Sequence, residues 1–285
     1  MWYDNDVSKG LYTYPLKAVN EVDTQPLTET LTNFKWIDKS FCDHKPIHNQ
    51  EDIEGFLFGC DCKGDCFSNR DTCICIRESG ITYDSNGGID TVSDSILECN
   101  NLCKCSHEKC KNRIIQRSQN NYSYPLELFK TPNKGWSVRA VIEIPKNSFV
   151  CEYVGEIITH KEADRRGSKY DSNGLSYLYD LDYKGKEDCE VIDATFYGNV
   201  ARFINHSCDP NLKKFFFFFD QRIEGSRARI SFFSSKVIRE GEELTFDYCY
   251  ELPIGIEHLN EIEGAIPCHC GSKKCRKWLW VPNIS

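Results

Sequence analysis

The sequence has no long apolar run. Its longest uninterrupted hydrophobic stretch, Phe215–Phe219, falls far short of the ~20 residues that cross a bilayer. It also lacks a surplus of positive charge. With 35 Lys and Arg against 43 Asp and Glu, the formal charge is −8. That argues against capture of nucleic acid or anionic lipid by the molecule as a whole, and it suits a basic substrate. The opening residues, Met-Trp-Tyr-Asp-Asn-Asp, have neither a basic start nor an apolar stretch, so no secretory signal is expected. No internal repeat is present and, the phenylalanine run apart, no low-complexity tract. At 40% hydrophobic, 13% aromatic and 27% charged residues, the composition is that of a folded globular chain, and the length suits two or three modules.

Against these absences stand seventeen cysteines. An odd count without a signal peptide favours metal binding or catalysis over disulfides. Nine form one block: Cys60, Cys62, Cys66, Cys73, Cys75, Cys99, Cys103, Cys105 and Cys110. Two tetrahedral four-cysteine zinc sites would strand one thiolate, whereas three zinc ions sharing three bridging sulfurs use all nine. The count therefore predicts a trinuclear cluster with a charge of −3. The competing reading is an unrelated cysteine-rich finger or a set of buried free thiols. Near the other end Cys268, Cys270 and Cys275 are one ligand short of a four-cysteine site, so a fourth must come from a distant loop. All-cysteine sites keep no open coordination position. Every such zinc is expected to be structural, and the chemistry to lie between the two clusters.

Residues 1–57 carry no motif of chemistry and read as a wrapping segment, with short strands at Leu11–Tyr14 and Phe34–Ile37 and a lone buried thiol at Cys42. Residues 58–118 hold the cysteine block, interrupted by the polar, Gly-containing stretch Glu78–Ser95, which is expected to be a flexible loop. From about residue 126 short β-type runs follow: Leu126–Lys130, Phe149–Ile158, Tyr177–Tyr183, Glu190–Ile192, Phe215–Phe219, Arg229–Phe233 and Glu243–Phe246. Only Lys161–Arg166 and the stretch around Tyr197–Phe203 read as helical. The pattern predicts an α+β, β-rich fold of small curled sheets, with the phenylalanine run on a strand covered on both faces.

In order, the centre carries Lys134-Gly-Trp-Ser-Val-Arg139, Cys151-Glu-Tyr-Val-Gly-Glu156, Tyr177-Leu-Tyr-Asp-Leu-Asp182, Arg202-Phe-Ile-Asn-His-Ser-Cys-Asp-Pro210 and Gly241-Glu-Glu-Leu-Thr-Phe-Asp-Tyr248. Each is weak alone. Together, between the nine-cysteine block and the C-x-C-x4-C tail, they resemble the pre-SET, SET and post-SET modules of histone lysine methyltransferases over roughly residues 58–280. Within that group they look like the branch acting on lysine 9 of histone H3. Asp6-Val-Ser-Lys-Gly10 with Val19-Asn-Glu-Val-Asp23 is similar to the run before pre-SET in the "SET domain bifurcated" members, although no long insertion splits the SET motifs here.

The resemblance implies a pre-SET zinc module (58–118), a SET catalytic domain (126–249) built around a pseudoknot, and a post-SET zinc-binding tail (264–280). It implies S-adenosylmethionine and four zinc ions as cofactors, the histone H3 tail as peptide substrate, chromatin-associated partners and residence on chromatin in the nucleus. Neither a membrane nor sequence-specific nucleic acid is expected as a partner. Asn205-His206 offers several donors and acceptors suited to a polar cofactor, although a hydrogen-bonded turn is the simpler reading of the pair alone. By resemblance the pair joins Lys134, Gly135, Trp136, Arg202 and Tyr248 in the cofactor site, and Cys208 supplies the missing tail ligand. Tyr177 and Tyr248 would provide channel hydroxyls and Phe246 an apolar wall, where ordinary core packing is the competing reading. By the same resemblance, Phe at that position implies a di- or trimethyl product.

Asp180 and Asp182 would face the basic flank of a peptide added as an extra strand. Two departures from the family pattern stand out. Gly-Trp-Ser replaces Gly-Trp-Gly, so Ser137 must avoid the positive φ that glycine permits. Phe196 stands where Tyr often follows Asp193-Ala194-Thr195, which removes one cofactor hydrogen bond. Rival readings are a catalytically inactive zinc-containing chromatin scaffold, a zinc-dependent nucleic-acid binder, and a methyltransferase for a non-histone lysine.

Overall fold

Successive side chains of a strand point to opposite faces, and the phenylalanine run uses both. The computed structural model describes residues 1–44, 58–79, 83–90, 95–118, 123–171, 177–182, 189–218, 228–250, 252 and 263–281. In it Leu212–Phe218 is a strand. Phe215 and Phe217 enter a small core with Tyr83, Ile89, Ile96, Ile115, Phe149 and Phe233. Phe216 enters the main core on the opposite face, with Phe218 packed against it. Both faces are covered as expected; Phe219 lies outside the described residues. The strand pairs antiparallel with Arg229–Ser234 and in parallel with Ser95–Leu97 of the cysteine block, and Phe149–Tyr153 completes the sheet. The cysteine block is thereby a structural part of the central sheet.

Two further four-stranded sheets are present among the described residues. One runs Trp2–Asp4, Lys17–Asn20, Leu126–Thr131, Gly135–Ala140; the other runs Leu178–Asp180, Glu190–Asp193, Glu156–Thr159, Phe41–Cys42. Tyr197–Gly198 pairs with Lys35–Trp36, Asn205–His206 with Thr245–Phe246, and Ile266–Pro267 with Trp278–Trp280. The longest helix is His160–Asp171, which contains the expected Lys161–Arg166. Thr159 Oγ1 accepts from the Glu162 N–H at 3.2 Å and caps its start. Arg166 ties the helix to the sheet through Glu156 at 2.6 Å and Asp193 at 2.9 Å.

Several elements differ from expectation for identifiable reasons. The run Phe149–Ile158 is two strands, Phe149–Tyr153 and Glu156–Thr159. At Gly155 between them a Cβ would lie 2.5 Å from the Asp193 carbonyl oxygen, a clearance only glycine provides. Leu11–Tyr14 is not a strand. The pairing falls instead on Trp2–Asp4 and Lys17–Asn20, joined by a loop in which the Asp6 carboxylate accepts from the N–H groups of Ser8, Gly10 and Leu16. Tyr197–Phe203 is a short strand followed by a 3-10 turn, Val200–Phe203, capped by Asn199.

The stretch Glu78–Ser95 is anchored where it is described. Tyr83 and Ile89 bridge one another and are buried, and the Tyr83 hydroxyl donates to Glu98 at 2.7 Å. The buried Glu98 carboxylate also accepts from the Ile115 and Gln116 N–H groups at the start of the short helix Ile114–Arg117. Apolar side chains within a polar stretch thus overrode its loop-like composition.

Because Phe217 is fully buried between the cysteine block and the central sheet, Phe217→Ala should cost about 3–5 kcal/mol. Phe218→Ala, at a half-buried position, should cost much less. Denaturant midpoints of the two variants check the difference.

Candidate metal centres and active site

The nine-cysteine block folds around its own sulfurs. Eight of the nine are buried and Cys62 is half-buried, with all seventeen thiols of the chain free. Sulfur separations are 3.4 Å for Cys60–Cys66, 3.6 Å for Cys66–Cys99, 3.5 Å for Cys75–Cys103 and 4.0 Å for Cys99–Cys110. A tetrahedral zinc with Zn–S bonds of ~2.3 Å has S–S edges of about 3.8 Å, so the donor set fits the metal. Three quartets overlap: Cys60, Cys99, Cys103, Cys105; Cys60, Cys62, Cys66, Cys73; and Cys66, Cys99, Cys105, Cys110. Cys60, Cys66, Cys99 and Cys105 are each shared between quartets, as bridging thiolates would be, whereas Cys75 belongs to none of the three and lies 3.5 Å from Cys103 Sγ.

Hydrogen-bond donors surround the sulfurs. Fully buried Arg113 donates to Cys105 Sγ at 3.6 Å, Asn112 Nδ2 to Cys99 Sγ at 3.4 Å, and the Cys60 and Asn100 N–H groups to Cys103 Sγ. Such outer partners offset thiolate charge and orient the ligands.

Cys208 meets Cys268, Cys270 and Cys275 in a fourth quartet, 3.8 Å from Cys268 Sγ. Its sulfur accepts from the Arg276 N–H at 3.3 Å and lies 3.3 Å from His206 Nε2. Nδ1 of His206 accepts from the Tyr248 N–H at 3.2 Å. Burial pushes the His206 pKa down; Asp247 opposes this, and the charges of Arg276 and Lys134 reinforce it. The other ring nitrogen, Nε2, faces the Cys208 sulfur at 3.3 Å and the Arg276 guanidinium at 3.4 Å. His206 therefore couples the tail to the interior.

Around this pair the motif residues converge. Asn205–His206 runs parallel to Thr245–Phe246, and Asn205 Nδ2 donates to the Trp136 carbonyl at 3.2 Å. Gly135 adopts φ +70° at the preceding turn, whereas Ser137 lies in an extended strand and is unstrained. The Ser137 hydroxyl donates to Glu243 Oε1 at 2.5 Å, and the Lys134 ammonium pairs with the same carboxylate at 2.6 Å. The indole N–H of Trp136, Nε and Nη1 of Arg202 and the Tyr179 hydroxyl are buried with no hydrogen-bond partner among the described residues. Each such orphan costs roughly 1–3 kcal/mol, which a polar ligand would recover.

Phe246 forms the centre of an aromatic wall. Its ring lies 4.6 Å from Phe232, 4.8 Å from Tyr248 and 6.0 Å from Tyr179, and Tyr179 in turn lies 5.4 Å from Tyr153. The Tyr248 hydroxyl donates to the Ile204 carbonyl at 3.0 Å, and the Tyr153 hydroxyl to that of Tyr177 at 3.2 Å. Burial pushes the phenol pKa values of Tyr153, Tyr179 and Tyr248 up, so all three stay neutral. Tyr177 is placed differently: its ring lies 3.8 Å beneath the Arg202 guanidinium.

Sequence reasoning passed over Tyr153 and Tyr179, although both sit in quoted motifs. The alternation that singles out Tyr177 puts Tyr179 on the same face. Leu178–Asp180 is an outer strand of its sheet, and Asp180 and Asp182 are exposed on either side of buried Leu181. Phe196 is exposed and packs on Tyr170. Cys42, expected to be a buried thiol, is half-buried with its sulfur 3.2 Å from His44 Nδ1.

Comparison with known proteins gives the class. A Pre-SET motif matches residues 8–113 and a SET domain residues 135–249. The chain belongs to the pre-SET and SET family of histone-lysine methyltransferases. It is 41% identical over 248 residues to the histone-lysine N-methyltransferase SUV39H2 of Xenopus tropicalis, a match covering 83% of this chain and 58% of that protein. The chain thus spans little more than half the length of such curated relatives.

Among solved structures it resembles KRYPTONITE in complex with mCHH DNA, H3(1-15) peptide and SAH, with TM-score 0.73 and 30% identity over 97% of this chain and 54% of that one. It also resembles the Neurospora SET domain protein DIM-5, a histone lysine methyltransferase, with TM-score 0.68 and 30% identity over 85% of this chain and 97% of that one.

The tail ligands are half-buried, while the nine-cysteine block is almost wholly enclosed. A weak chelator should therefore remove the tail zinc first, and Cys208→Ser should lose one zinc while leaving the block loaded. Elemental analysis alongside circular dichroism tests both statements; release of all the metal together, with loss of the fold, contradicts them.

Proposed function

We propose that the chain is an S-adenosylmethionine-dependent histone lysine N-methyltransferase acting on the histone H3 tail, at lysine 9, on nuclear chromatin. The observation that carries this reading is the aromatic wall of Phe246, Tyr248, Tyr179 and Tyr153. It stands beside Asn205–His206, with buried hydroxyl, indole and guanidinium hydrogens left for a polar ligand. The relative named KRYPTONITE was solved with an H3(1-15) peptide and SAH, and that peptide includes position 9. The division into a wrapping segment (1–57), a zinc module (58–118), a catalytic domain (126–249) and a zinc-binding tail (264–280) belongs to the same proposal, as do chromatin-associated partners. Intact Asn205, His206 and Tyr248 favour an enzyme over an inactive scaffold.

In this reading Lys134, Gly135, Trp136, Arg202, Asn205, His206 and Tyr248 hold the cofactor, which when bound supplies an electrophilic methyl group. The chain itself supplies alignment. A free lysine titrates near ~10.4, so the substrate amine arrives charged. Burial among aromatic rings lowers that value and favours the neutral nucleophile. The neutral phenols do not serve as bases, and the proton leaves through water. Because the Tyr248 hydroxyl spends its hydrogen on the Ile204 carbonyl, its lone pairs are left to accept from the amine.

Tyr177, stacked on Arg202, is assigned to positioning that guanidinium. The second channel hydroxyl passes to Tyr179. Near-attack alignment is worth on the order of 7–11 kcal/mol. The peptide adds as a strand along Leu178–Asp180, with Asp180 and Asp182 beside its basic flank.

Phe246 sets the number of methyl groups. A lysine already methylated must turn its lone pair back toward the donor, which pushes the first methyl into space that water would otherwise fill. A tyrosine hydroxyl can hold that water; phenylalanine cannot. A di- or trimethyl product is expected, and Phe246→Tyr should shift it toward monomethyl-lysine with the first transfer retained. Mass spectrometry of an H3 peptide incubated with labelled methyl donor tests activity and product together. A wild-type reaction that stalls at one methyl refutes the assignment of Phe246. His206→Ala, which removes the ring that accepts from the Tyr248 N–H and faces Cys208, should weaken cofactor binding by roughly 1–3 kcal/mol through a lost buried hydrogen bond behind the site, read by calorimetry.

A further inference from the structure

We infer that two rings of the wrapping segment, Phe34 and Trp2, are positioning residues for the cofactor site, which rests on the cofactor set proposed above. They act through Arg202 and Trp136. Both of those residues bury N–H groups with no hydrogen-bond partner among the described residues: Nε and Nη1 of Arg202 and the indole N–H of Trp136. Each also has a ring of the wrapping segment against it. The Phe34 ring centroid lies 4.6 Å from the Arg202 guanidinium carbon. The Trp2 ring stands edge-on to Trp136 at 5.8 Å and 83°.

Arg202 shows what such a contact does. It is 7% exposed, and its charge is met by ring faces: Tyr177 at 3.8 Å, Phe34 at 4.6 Å and Phe203 at 4.9 Å. A guanidinium taken out of water is held most strongly over such rings. Crowded by them, it has its hydrogen-bond directions set before a ligand arrives. A ligand then spends little of its binding energy on ordering the side chain. Without Phe34 one wall of the enclosure is lost and the guanidinium gains room to turn.

Backbone pairing delivers both rings. Asn33 takes φ +61° immediately before Phe34, a conformation asparagine tolerates better than most residues. After it, Lys35–Trp36 pairs in parallel with Tyr197–Gly198, and the Lys35 N–H donates to the Phe196 carbonyl at 2.8 Å. Trp36 stands edge-on to Phe34 at 5.1 Å and packs on Phe203, so Phe34 is braced from behind. Trp2 sits opposite Asn20, at the end of a strand paired with Leu126–Thr131, and Lys130 of that strand sits opposite Trp136. A segment without a motif of chemistry thus backs two residues of the site.

Calorimetry of S-adenosylmethionine binding to the full, zinc-loaded chain is the test. Phe34→Leu keeps apolar bulk but removes the ring face, and should weaken binding about tenfold. Trp2→Leu should weaken it about threefold or more. Phe41, a third ring of the same segment, packs on Tyr197 instead; Phe41→Leu should leave affinity within about twofold. In kinetics, KM for the cofactor should rise in the first two variants while that for the H3 peptide stays unchanged. Trp2 is half-buried on an outer strand, so Trp2→Leu keeps the test open should Phe34→Leu fail to fold. Unchanged affinity in Trp2→Leu or in folded Phe34→Leu, or an equal loss in Phe41→Leu, overturns the inference. A wild-type chain that binds no S-adenosylmethionine refutes the cofactor site itself, so the two failures are distinguishable.

Discussion

The structure turns on a parallel pairing only two residues long. Asn205–His206 lies against Thr245–Phe246, and the Ser207 N–H donates to the Phe246 carbonyl beside it. This contact places the polar pair and the aromatic wall next to one another. The Tyr248 N–H then reaches His206 Nδ1, and His206 Nε2 reaches the Cys208 sulfur. Without the register His206↔Phe246, the tail would lose its fourth ligand and the wall its neighbour. A strand this short contributes little stability alone. Its support is the main core, which includes Phe203, Ile204, Leu244 and Phe246.

The cysteine block reaches the same centre by a different route. Its core consists of sulfur and one isoleucine, with Phe58 at its margin. So little hydrocarbon would fold weakly unaided, and small domains of this kind draw their stability from metal. The strand Ser95–Leu97 and the phenylalanine face couple that stability to the central sheet. Charge is handled locally by Arg113, a fully buried guanidinium beside the thiolates.

Much of this was legible in the sequence because the signals were local. Cysteine spacing marked the sulfur clusters, alternation marked the central strands, and the ordered motifs marked residues that meet around Asn205–His206. What escaped came from chain segments meeting at a distance. Lys17–Asn20 pairs with Leu126–Thr131, and Lys35–Trp36 with Tyr197–Gly198, yet nothing local announces either partner. The contact between His44 and Glu190 was hidden for the same reason, since Glu190 arrives from a remote strand. The break at Gly155 follows from the nearness of the Asp193 carbonyl, a contact that composition cannot encode. Tyr177 and Tyr179 could not be told apart for the same reason, since only the fold shows that Arg202 stacks on the first and Phe246 packs near the second.

The wrapping segment has a consequence for how the chain is made. Its strands Lys17–Asn20, Lys35–Trp36 and Phe41–Cys42 all pair in parallel with partners more than a hundred residues further along. Parallel pairing cannot close through a tight turn, so none of these contacts forms locally. During synthesis at ~5–20 residues per second, the segment waits on the order of ten seconds for its partners. Loop closure over that length then slows assembly further. These residues emerge well before their partners and are thus secured late. Through this interval apolar side chains such as Leu16, Ala18 and Leu27, all buried at the end, are open to chaperones.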